Sequence, residues 1–515
     1  MVAGTTPTRA RRSGRARPDL TLFSKVLVAN RGEIALRVMR TCRELGISTA
    51  AVYSDADRDA LHVRFADEAY PIGPSAPRES YLAIDKLVAV AKRAACDAVH
   101  PGYGFLSENA DLAEAVAAAG ITFIGPPASV QRLLGEKTRA RRLAREAGVP
   151  VSEGTTEPLV DLDAARAAAA RIGYPVMLKA AGGGGGKGMR AVADPAELDA
   201  AWRLASGEAQ TAFGRPQLFI ERLLEGARHI EMQVLADEHG GIFWLGERDC
   251  SVQRRHQKLI EETPGPSVDD ALRARLGDAA VRVARAASYR NAGTVEFLVT
   301  EDREFFFLEV NTRLQVEHPV TESVTGLDLV ALQLRVAAGE ALAFPNGVER
   351  RGAAIELRIT AEDALAGFVP ANGAVALLRL PAGPGVRVDH ALYEGMSVPT
   401  EYDPLLAKII VSGRDRAEVL ARARRAVRET IVAGLPTSLP FHAHALAEPD
   451  FTAGHYDTGY VRAHWPPPDE PELDADETTA AALVAVLASR AGTSRRTLPS
   501  DGTPWARLAR EDALR

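Results

Sequence analysis

The sequence predicts an α/β fold from the order of strand-like and helical segments near its start. An apolar run at residues 26–29 has the character of a buried strand, and the apolar positions within 34–45 fit a helix. Strand-like runs follow at 49–53 and 98–100, with a helical segment over 82–95 between them. This alternation is typical of a parallel sheet covered by helices.

Further elements follow along the chain. Residues 135–147 predict a helix, and 175–179 predict a strand that leads into a run of glycines. Beyond it, five strands indicate a mixed, largely antiparallel sheet, strand-like runs continue through 355–412, and 416–430 predicts an arginine-rich amphipathic helix. The folded part is expected to end near Trp465. The five predicted strands are 218–221, 229–235, 242–247, 294–299 and 304–310.

The two ends of the chain differ from this folded part. Residues 1–23 contain five arginines among small and polar residues, so we expect a disordered basic extension. The composition also fits an organellar transit peptide, but an apolar helical face is missing, which favours a solvated tail. Prolines open an acidic linker at residue 466, and residues 478–490 predict a short helix within a tail that ends at 515.

Composition narrows the class of protein. Among 515 residues, 62 Lys and Arg against 68 Asp and Glu give a net charge of −6, which offers no electrostatic case for nucleic-acid binding. The three cysteines form no CxxC pair, which argues against a disulfide framework or a zinc site. The sequence also lacks a long apolar span and the apolar core of a secretion signal. We therefore expect a soluble, cytoplasmic protein that binds neither nucleic acid nor membrane.

Two loops bear on nucleotide binding. The turn after the first strand is NRGE (30–33), which lacks the GxGxxG pattern and argues against a nicotinamide dinucleotide fold. The glycine run at 182–186 follows an apolar strand that ends in Lys179, and Lys187 comes next. Successive glycines let backbone N–H groups turn toward an anion, so the run fits a mobile phosphate cover better than a flexible linker. It does not match the Walker A pattern.

A cluster of oxygen ligands suggests a metal site. Glu309 and Asn311 lie two residues apart on a predicted strand and so share a face, while Glu296 lies on the preceding strand of an apparent hairpin. Two carboxylates and an amide oxygen suit Mg²⁺, which commonly also binds substrate phosphates. The alternative is an exposed strand face. The apolar residues around Glu309 argue against it, because an unpaired buried carboxylate is costly.

The same two-residue period continues through Arg313, Gln315 and Glu317. An arginine fork, an amide and a carboxylate on one face can hold a small oxyanion and remove its proton. Elsewhere, residues 254–258 (RRHQK) place five polar side chains together before Glu261 and Glu262. Taken alone, that stretch is most simply a charged surface run.

Five segments together make the chain resemble biotin carboxylases, over about residues 24–464. They are HPGYGFLSEN (100–109), LKAAGGGGGKGMR (178–190), GERDCSVQRRHQKLIEE (246–262), TVEFL (294–298) and EVNTRLQVEHPVTE (309–322). The resemblance implies an α/β, ATP-grasp fold with a Rossmann-like N-terminal domain, a glycine-rich lid and a C-terminal biotin carboxylase domain. The implied divisions are a basic extension (1–23), an N-terminal domain (24–136), an ATP-grasp domain (137–345) with its lid (152–223), a C-terminal domain (350–465) and a tail (466–515).

The resemblance also implies roles for residues that match the family motifs. ATP, Mg²⁺ (or Mn²⁺), bicarbonate and biotin would be the ligands. Glu317 would deprotonate bicarbonate for attack on the γ-phosphate, and Arg358 would stabilise the biotin anion that receives CO₂ from carboxyphosphate. The implied ATP-binding residues are Lys137, Lys179, Gly185, Gly186, Glu221, Leu224, His229, Gln253 and His256; the metal ligands are Glu296, Glu309 and Asn311; the bicarbonate residues are Lys258, Arg313, Gln315 and Val316.

Three positions depart mildly from the family pattern, namely Arg222, Lys187 and Thr360, and none is one of the implied catalytic groups. We therefore expect activity. The main alternatives are another ATP-grasp ligase, such as a carbamoyl-phosphate or amino-acid ligase, and an inactive scaffold subunit. The first would lack RRHQK together with NTRLQVEHP in this form, and the second would require a damaged site.

The family's carrier motif centres on a biotinylated lysine between two methionines, but none of the six methionines here is adjacent to a lysine. We therefore expect the biotin to sit on a separate carrier protein. A carboxyltransferase would pass the carboxyl group to an acyl-CoA of the acetyl- or propionyl-CoA type, as in fatty-acid biosynthesis. The family is typically homodimeric. The ending PWARLAR (504–510) resembles a junction in fused α chains, which indicates a separately encoded remainder or a truncated relative.

Overall fold

The computed structural model describes residues 22–181, 188–345 and 347–467, together with Leu483. The chain separates into a compact unit of residues 1–466 and a second unit of 467–515, and every element below belongs to the first. Outside the described residues lie the predicted extension up to residue 21, the glycine run with Gly185 and Gly186, Lys187, and, apart from Leu483, the predicted helix at 478–490. Within the described part, no helix combines the length and apolar character needed to span a membrane.

The N-terminal sheet has five parallel strands in the order β3-β2-β1-β4-β5. The predicted strands at β1, β2 and β4 are confirmed. The sequence missed β3, an edge strand that is only half-buried and contains Pro71. Leu22 and Phe23, predicted to be disordered, pack against this core. The elements are β1 (Lys25–Val28), α1 (Gly32–Glu44), β2 (Ser48–Ser54), α2 (Leu61–Phe65), β3 (Glu68–Gly73), α3 (Ile84–Arg93), β4 (Ala98–His100), α4 (Ala110–Ala118), β5 (Thr122–Phe123) and α5 (Ala128–Gly135).

A three-stranded antiparallel sheet, in the order β7-β6-β8, forms the next layer, and α7 and α8 pack on it. The helix predicted over 135–147 is confirmed as α6. The preceding helix α5 was not predicted, and the extended Glu136 separates the two. The strand predicted at 218–221 belongs to this sheet and not to the larger one. The elements are α6 (Lys137–Glu146), α7 (Leu162–Ile172), β6 (Val176–Ala180), β7 (Arg190–Val192), α8 (Leu198–Phe213) and β8 (Leu218–Arg222).

The remaining residues that the structure describes, from 228 onward, build one long sheet and three small two-stranded ones. The first of these elements are β9 (Arg228–Ala236), β10 (Ile242–Arg254), β11 (Gln257–Thr263), α9 (Asp270–Ala286), β12 (Asn291–Val299), β13 (Phe305–Asn311), α10 (His318–Thr325) and α11 (Leu329–Ala337). The rest are β14 (Ala353–Thr360), β15 (Glu362–Asp363), β16 (Val369–Pro370), β17 (Gly373–Ala374), β18 (Leu377–Arg379), β19 (Val386–His390), β20 (Ser397–Val398), β21 (Leu405–Gly413), α12 (Arg416–Glu429), β22 (Ile431–Ala433), α13 (Leu439–Ala445), α14 (Pro449–Ala453) and α15 (Tyr460–His464).

The long sheet has eight strands in the order β13-β12-β9-β10-β11-β14-β21-β19, and every neighbouring pair is antiparallel. It is therefore wholly antiparallel and not mixed as predicted. Helix α9 covers one face at the β9 to β13 end, and α12 covers the same sheet at β14 and β21. The side chains that alternate with these buried apolar residues point to the opposite face, which is polar.

Two helical glycines differ in the space around them, which gives a test of this packing. In α9, a Cβ at Gly277 would lie 2.6 Å from the Trp244 indole, whereas in α8 a Cβ at Gly207 would meet no atom within 4 Å. We expect Gly207→Ala to stabilise the protein by about 0.5–1 kcal/mol through helix propensity. Gly277→Ala should instead destabilise it by about 1–3 kcal/mol through overpacking. Thermal unfolding of both variants measures the difference, and equal shifts would contradict the packing described.

Candidate active site

Alternation along neighbouring strands gathers polar side chains on the open face of the eight-stranded sheet. On β9, His229 and Glu231 alternate with apolar residues of the core beneath α9. The register places Glu231 opposite Glu296 of β12, and Glu296 opposite Glu309 of β13. Three carboxylates therefore lie in a row across three adjacent strands. Burying these carboxylates requires cations close to them.

Lys258, near the start of β11, supplies the central cation. Its ammonium donates to Glu231 Oε2 and to Glu317 Oε1, each at 2.6 Å. A third donation goes to Glu296 Oε1 at 3.0 Å. The lysine side chain is 11% exposed, and the side chains of Glu231 and Glu317 are 0% exposed. A single ammonium thus uses all three of its protons on buried carboxylates.

The charges of Lys258, Glu296 and Glu317 stabilise one another. Burial alone would lower the pKa of Lys258, but the acidic groups around it raise that pKa well above its ordinary value. Burial alone would raise the pKa of Glu317 and of Glu296, but Lys258 and the neighbouring cations outweigh it and hold both pKa values well below the usual range. Lys258 therefore stays protonated and both carboxyl groups stay ionised at neutral pH.

Arg248 of β10 lies beneath this cluster and is fully buried. Its Nε donates to Glu231 Oε1 at 2.5 Å, and a terminal nitrogen donates to Gln233 Oε1 at 2.8 Å. Glu231 is thus held by Lys258 on one oxygen and by Arg248 on the other. The sequence analysis singled out neither Glu231 nor Arg248.

Arg358 of β14 approaches Glu317 from the other side. One terminal nitrogen donates to Glu317 Oε2 at 2.8 Å, and Nε donates to Glu261 Oε1 at 2.5 Å. Burial raises the pKa of Glu261 to about 7, with Arg358 opposing the shift. Both oxygens of Glu317 are therefore occupied by cations, Lys258 on one and Arg358 on the other, which fixes the carboxylate in the cluster.

Glu296 is also held by neutral side chains. Asn311 Nδ2 and Gln315 Nε2 donate to Glu296 Oε1, at 2.8 and 3.1 Å. His229 Nε2 lies 2.9 Å from the other oxygen. Burial would lower the pKa of His229, but Glu296 outweighs it and the pKa is raised.

Arg313 connects this cluster to the N-terminal part of the chain. Its terminal nitrogens donate to Gln315 Oε1 at 2.8 Å and to Asn311 Oδ1 at 3.0 Å. Its Nε donates at 3.1 Å to Glu108, which also accepts from the backbone N–H of Thr312 at 2.8 Å. Glu108 lies in the HPGYGFLSEN segment, so that segment contacts the candidate site directly. The sequence analysis did not single out Glu108 itself.

A second group of ion pairs lies toward the three-stranded sheet. Lys137 Nζ, at the start of α6, is 2.9 Å from Glu309 Oε2. Lys179 and Arg141 both form ion pairs with Glu221 of β8, and Ser152 Oγ donates to that carboxylate at 3.0 Å. Burial would raise the pKa of Glu221, but the two cations lower it below its ordinary value. Arg141 and Ser152 were not among the predicted residues.

The hairpin between β10 and β11 borders the cluster. Arg254 and Gln257 pair, so the turn consists of Arg255 and His256, with φ values of 49° and 65°. Both turn residues are exposed, and only Lys258 of the five-residue polar run enters the cluster. The His256 side chain keeps solvent contact, but the protein packed around the hairpin partly desolvates it. This desolvation, with the positive charges of nearby lysines, lowers the pKa of His256 to about 4, so its imidazole is neutral at physiological pH.

The donor set fits a divalent cation. The ligand atoms of His229, Glu231 and Glu296 lie within 4.8 Å of one another, a set that shares only Glu296 with the predicted ligands. Glu296 and Glu309 are register-paired carboxylates, and hard oxygen donors of this kind suit Mg²⁺. As placed, Asn311 turns its amide nitrogen toward Glu296 and its oxygen toward Arg313, so an oxygen ligand there requires the amide to rotate.

Most of the predicted site residues therefore lie in two adjoining groups. The cluster around Lys258 contains His229, Glu296, Asn311, Arg313, Gln315, Glu317 and Arg358, and the second group contains Lys137, Lys179, Glu221 and Glu309. Gln253 is buried with its amide 3.5 Å from His229 Nδ1, and the Val316 carbonyl accepts from Lys408. Leu224 is half-buried between β8 and β9, and His256 is in the exposed turn.

Comparison with known families matches three consecutive parts of the chain. Residues 22–131 match the N-terminal domain of biotin carboxylase, and 356–463 match its C-terminal domain. Residues 136–344 match the ATP-binding domain of the carbamoyl-phosphate synthase L chain. The three matches leave few residues uncovered between 22 and 463.

Comparisons over most of the chain give the same family as these domain matches. A pyruvate carboxylase subunit of Methanothermobacter thermautotrophicus is 51% identical over 441 residues, covering 85% of this chain and 90% of that one. Biotin carboxylase 1 of Bacillus subtilis is 48% identical, covering 86% and 99%. The crystal structure of the biotin carboxylase domain dimer of Hydrogenobacter thermophilus 2-oxoglutarate carboxylase, with MgADP, ADP and bicarbonate, has a TM-score of 0.84 at 43% identity, covering 86% and 98%.

Removal of the central cation should make stability depend on pH in a new way. In Lys258→Met, Glu296 and Glu317 lose their main counter-ion, so their folded-state pKa values should rise above those of the unfolded chain. Folding then takes up protons, and stability falls as pH rises above about 4.5, the ordinary glutamate pKa, until the raised folded-state pKa values are passed. We expect a loss of about 3–5 kcal/mol near neutral pH. Thermal unfolding of Lys258→Met across this pH range measures the loss of stability. Adding Glu231→Gln should recover part of that loss, because it removes one of the unpaired carboxylates. A loss of stability that does not depend on pH would contradict the charge balance described.

Proposed function

The chain belongs to the biotin carboxylase family, and from this premise we propose how its own residues perform the reaction. It is an ATP-dependent ligase that carboxylates biotin with bicarbonate. The observation that carries the residue assignment is the buried constellation of Lys258, Glu317 and Arg358, in which one carboxylate is held by two cations. Another ATP-grasp ligase is disfavoured, because the ATP-binding match is flanked by two domain matches to biotin carboxylase.

We propose that ATP binds at the second group of ion pairs, with its metal ion between that group and the cluster around Lys258. Lys137 and Lys179 would hold phosphates, and Glu296 and Glu309, with Asn311, would hold Mg²⁺ or Mn²⁺. The metal, when bound, supplies positive charge that neutralises the phosphoryl group being transferred. Around the nucleotide we assign Glu221, Leu224, His229, Gln253 and His256, with Gly185 and Gly186 of the glycine run over the phosphates.

Bicarbonate is proposed to bind beside Lys258 and Arg313, with Gln315 and Val316 completing the site. Glu317 would take the bicarbonate proton, and the bicarbonate oxygen would attack the γ-phosphate to give carboxyphosphate and ADP. An anion that draws Lys258 toward itself weakens the field that lowers the pKa of Glu317, which makes Glu317 a better base when it is needed.

The second step needs a cation at the biotin ring. Carboxyphosphate releases CO₂, and the phosphate left behind takes the N1′ proton of biotin. Arg358 would stabilise the negative charge that develops on the ureido oxygen, while Glu261 on its other side keeps the guanidinium oriented. The ring nitrogen then attacks CO₂, and carboxybiotin leaves with the carrier.

We propose that the biotin is presented by a separate carrier protein and that a carboxyltransferase passes the carboxyl group to an acyl-CoA of the acetyl- or propionyl-CoA type. Pyruvate is the second candidate acceptor, favoured by the similarity to the pyruvate carboxylase subunit of Methanothermobacter thermautotrophicus. A homodimer is the proposed assembly, in keeping with the dimeric relative of known structure. The proposed functional divisions are 24–136, 137–345 with a lid at 152–223, and 350–465.

ATP hydrolysis by the purified full chain, with Mg²⁺ and bicarbonate, tests the proposed half-reaction. We expect ADP release to depend on bicarbonate and to rise when free biotin is added, with ¹⁴C from bicarbonate appearing in carboxybiotin. The control omits bicarbonate. Bound ATP without turnover would instead support an inactive scaffold subunit.

Glu317→Gln tests the assignment of the base. The amide keeps the size of the side chain but cannot accept the proton, so we expect bicarbonate-dependent ATP cleavage to fall by at least about 10²-fold. ATP affinity, measured by calorimetry, should change less than about threefold, because the proposed phosphate residues Lys137 and Lys179 lie in the second group and do not contact Glu317. A large loss of ATP affinity with normal turnover would contradict the role of Glu317.

A further inference from the structure

Lys408 lies directly under the segment that carries the proposed base. It belongs to β21, and its side chain is 0% exposed. Its ammonium donates to the backbone carbonyl of Val316 at 2.8 Å. Val316 immediately precedes Glu317, and Lys408 is also the cross-strand neighbour of Arg358. One buried lysine therefore contacts the backbone between the proposed bicarbonate residues and the proposed base.

The other contacts of Lys408 reach a part of the chain that the proposed reaction leaves unused. Its ammonium lies 3.3 Å from Glu33 Oε1 and 3.9 Å from Asp389 Oδ2. Glu33 is the last residue of the NRGE turn and lies in the first turn of α1. The turn that lacks a dinucleotide pattern thus places a carboxylate against the lysine that holds Val316.

These groups form a closed, buried set. Glu33 has 4% side-chain exposure, and neither of its oxygens has a hydrogen-bond partner within the described residues. Asp389 is held by Arg387 through two donations, at 2.9 and 2.7 Å. Asp389 therefore keeps a cation without Lys408, whereas Glu33 does not.

The remaining groups that face Lys408 add little competing charge. Glu356 of β14 has both oxygens buried and without hydrogen bonds, and burial raises its pKa well above the ordinary value. His318 is kept neutral because burial lowers its pKa well below the ordinary value. The Tyr103 ring lies 5.7 Å from the ammonium. The charged contact of Lys408 with the N-terminal part of the chain is thus mainly the one with Glu33.

We propose that Lys408, held by Glu33, is a positioning residue for bicarbonate activation, because its donation to the Val316 carbonyl fixes residues 313–317 relative to Arg358. This inference rests on the proposed role of residues 313–317. A buried, charge-assisted hydrogen bond to a backbone carbonyl fixes the backbone strongly. If the donor were removed, no water could reach the buried carbonyl to take its place. Without it, Arg313, Gln315 and Glu317 would keep their chemistry but lose their shared alignment.

Lys408→Met removes the donor while keeping the length of the side chain. In the biotin-stimulated ATPase of the full chain, we expect the KM for bicarbonate to rise about tenfold, as for the loss of one charge-assisted hydrogen bond. The KM for MgATP should change less than about twofold. A purely structural role would lower the melting temperature and the active fraction without this split between the two substrates.

Lys25→Met is the matched control. Lys25 also donates to a carboxylate and to a backbone carbonyl, Glu68 at 2.6 Å and Ala94 at 3.1 Å, but at the N-terminal sheet. We expect its KM values for both substrates to match the wild type. If Lys408→Met and Lys25→Met share the same bicarbonate KM, or if Lys408→Met raises both KM values equally, the positioning role is wrong.

Glu33→Gln keeps the test decisive if Lys408→Met does not fold. This variant retains Lys408 and its donation to Val316 but removes the Glu33 carboxyl group, whose pKa burial raises to about 7 with Lys408 opposing the shift. We expect a two- to threefold rise in bicarbonate KM alone. An unchanged bicarbonate KM would overturn the link to the NRGE turn. A wild-type chain without biotin-stimulated ATPase would overturn the proposed function itself, which distinguishes the two failures.

Discussion

The candidate site depends on one electrostatic constraint: three buried carboxylates share a single ammonium that lies among them. Lys258 satisfies Glu231, Glu296 and Glu317 at once, and each of the three has a further donor or cation on its other oxygen. Removing one charge from this set leaves its buried partner unpaired. The resulting loss of folding free energy is far larger than the stabilisation that an exposed ion pair provides. The register of β9, β12 and β13 and the short hairpin before β11 serve this one arrangement.

A related balance holds where the nucleotide is proposed to bind. Lys137, assigned to phosphate, pairs with Glu309, assigned to metal, and Lys179 pairs with Glu221. A metal–nucleotide complex carries both signs of charge, so its binding exchanges one set of ion pairs for another. The side chains are therefore held close to their working positions before the ligand arrives, which reduces the entropy lost on binding.

The parts of the fold that sequence analysis predicted are those with local signals. Apolar runs gave β1, β2 and β4, whereas β3, a half-exposed edge strand with a proline, carries no such run. No local sequence signal marks the break at Glu136 between two helices. No local signal indicates that residues 218–222 pair with β6. In the sheet, pairing depends on contacts across long loops that a single sequence does not display.

In the candidate site, too, local sequence patterns were predictive and contacts between distant segments were not. The two-residue period from Glu309 to Glu317 predicted one shared strand face. The strand β13 ends at Asn311 and residues 312–317 lie in no strand, but this segment still brings Arg313, Gln315 and Glu317 to the same cluster. Glu108 and Arg141 come from distant segments, so no spacing could associate them with Arg313 or Glu221. Glu231 and Arg248 follow the period of their own strands, but periodicity does not distinguish a site residue from a buried ion pair.

The hairpin between β10 and β11, at the edge of the site, has a turn sequence that is unfavourable for stability. A two-residue turn with positive φ at both positions is built most stably from Asn and Gly, yet this chain has Arg255 and His256 there. Each L-residue in that conformation costs about 1 kcal/mol or more. The turn is therefore less stable than an Asn-Gly turn, and its two side chains are exposed beside the polar cluster. A variant library screened only for thermal stability would drift toward Asn-Gly at this hairpin and would lose these two side chains first.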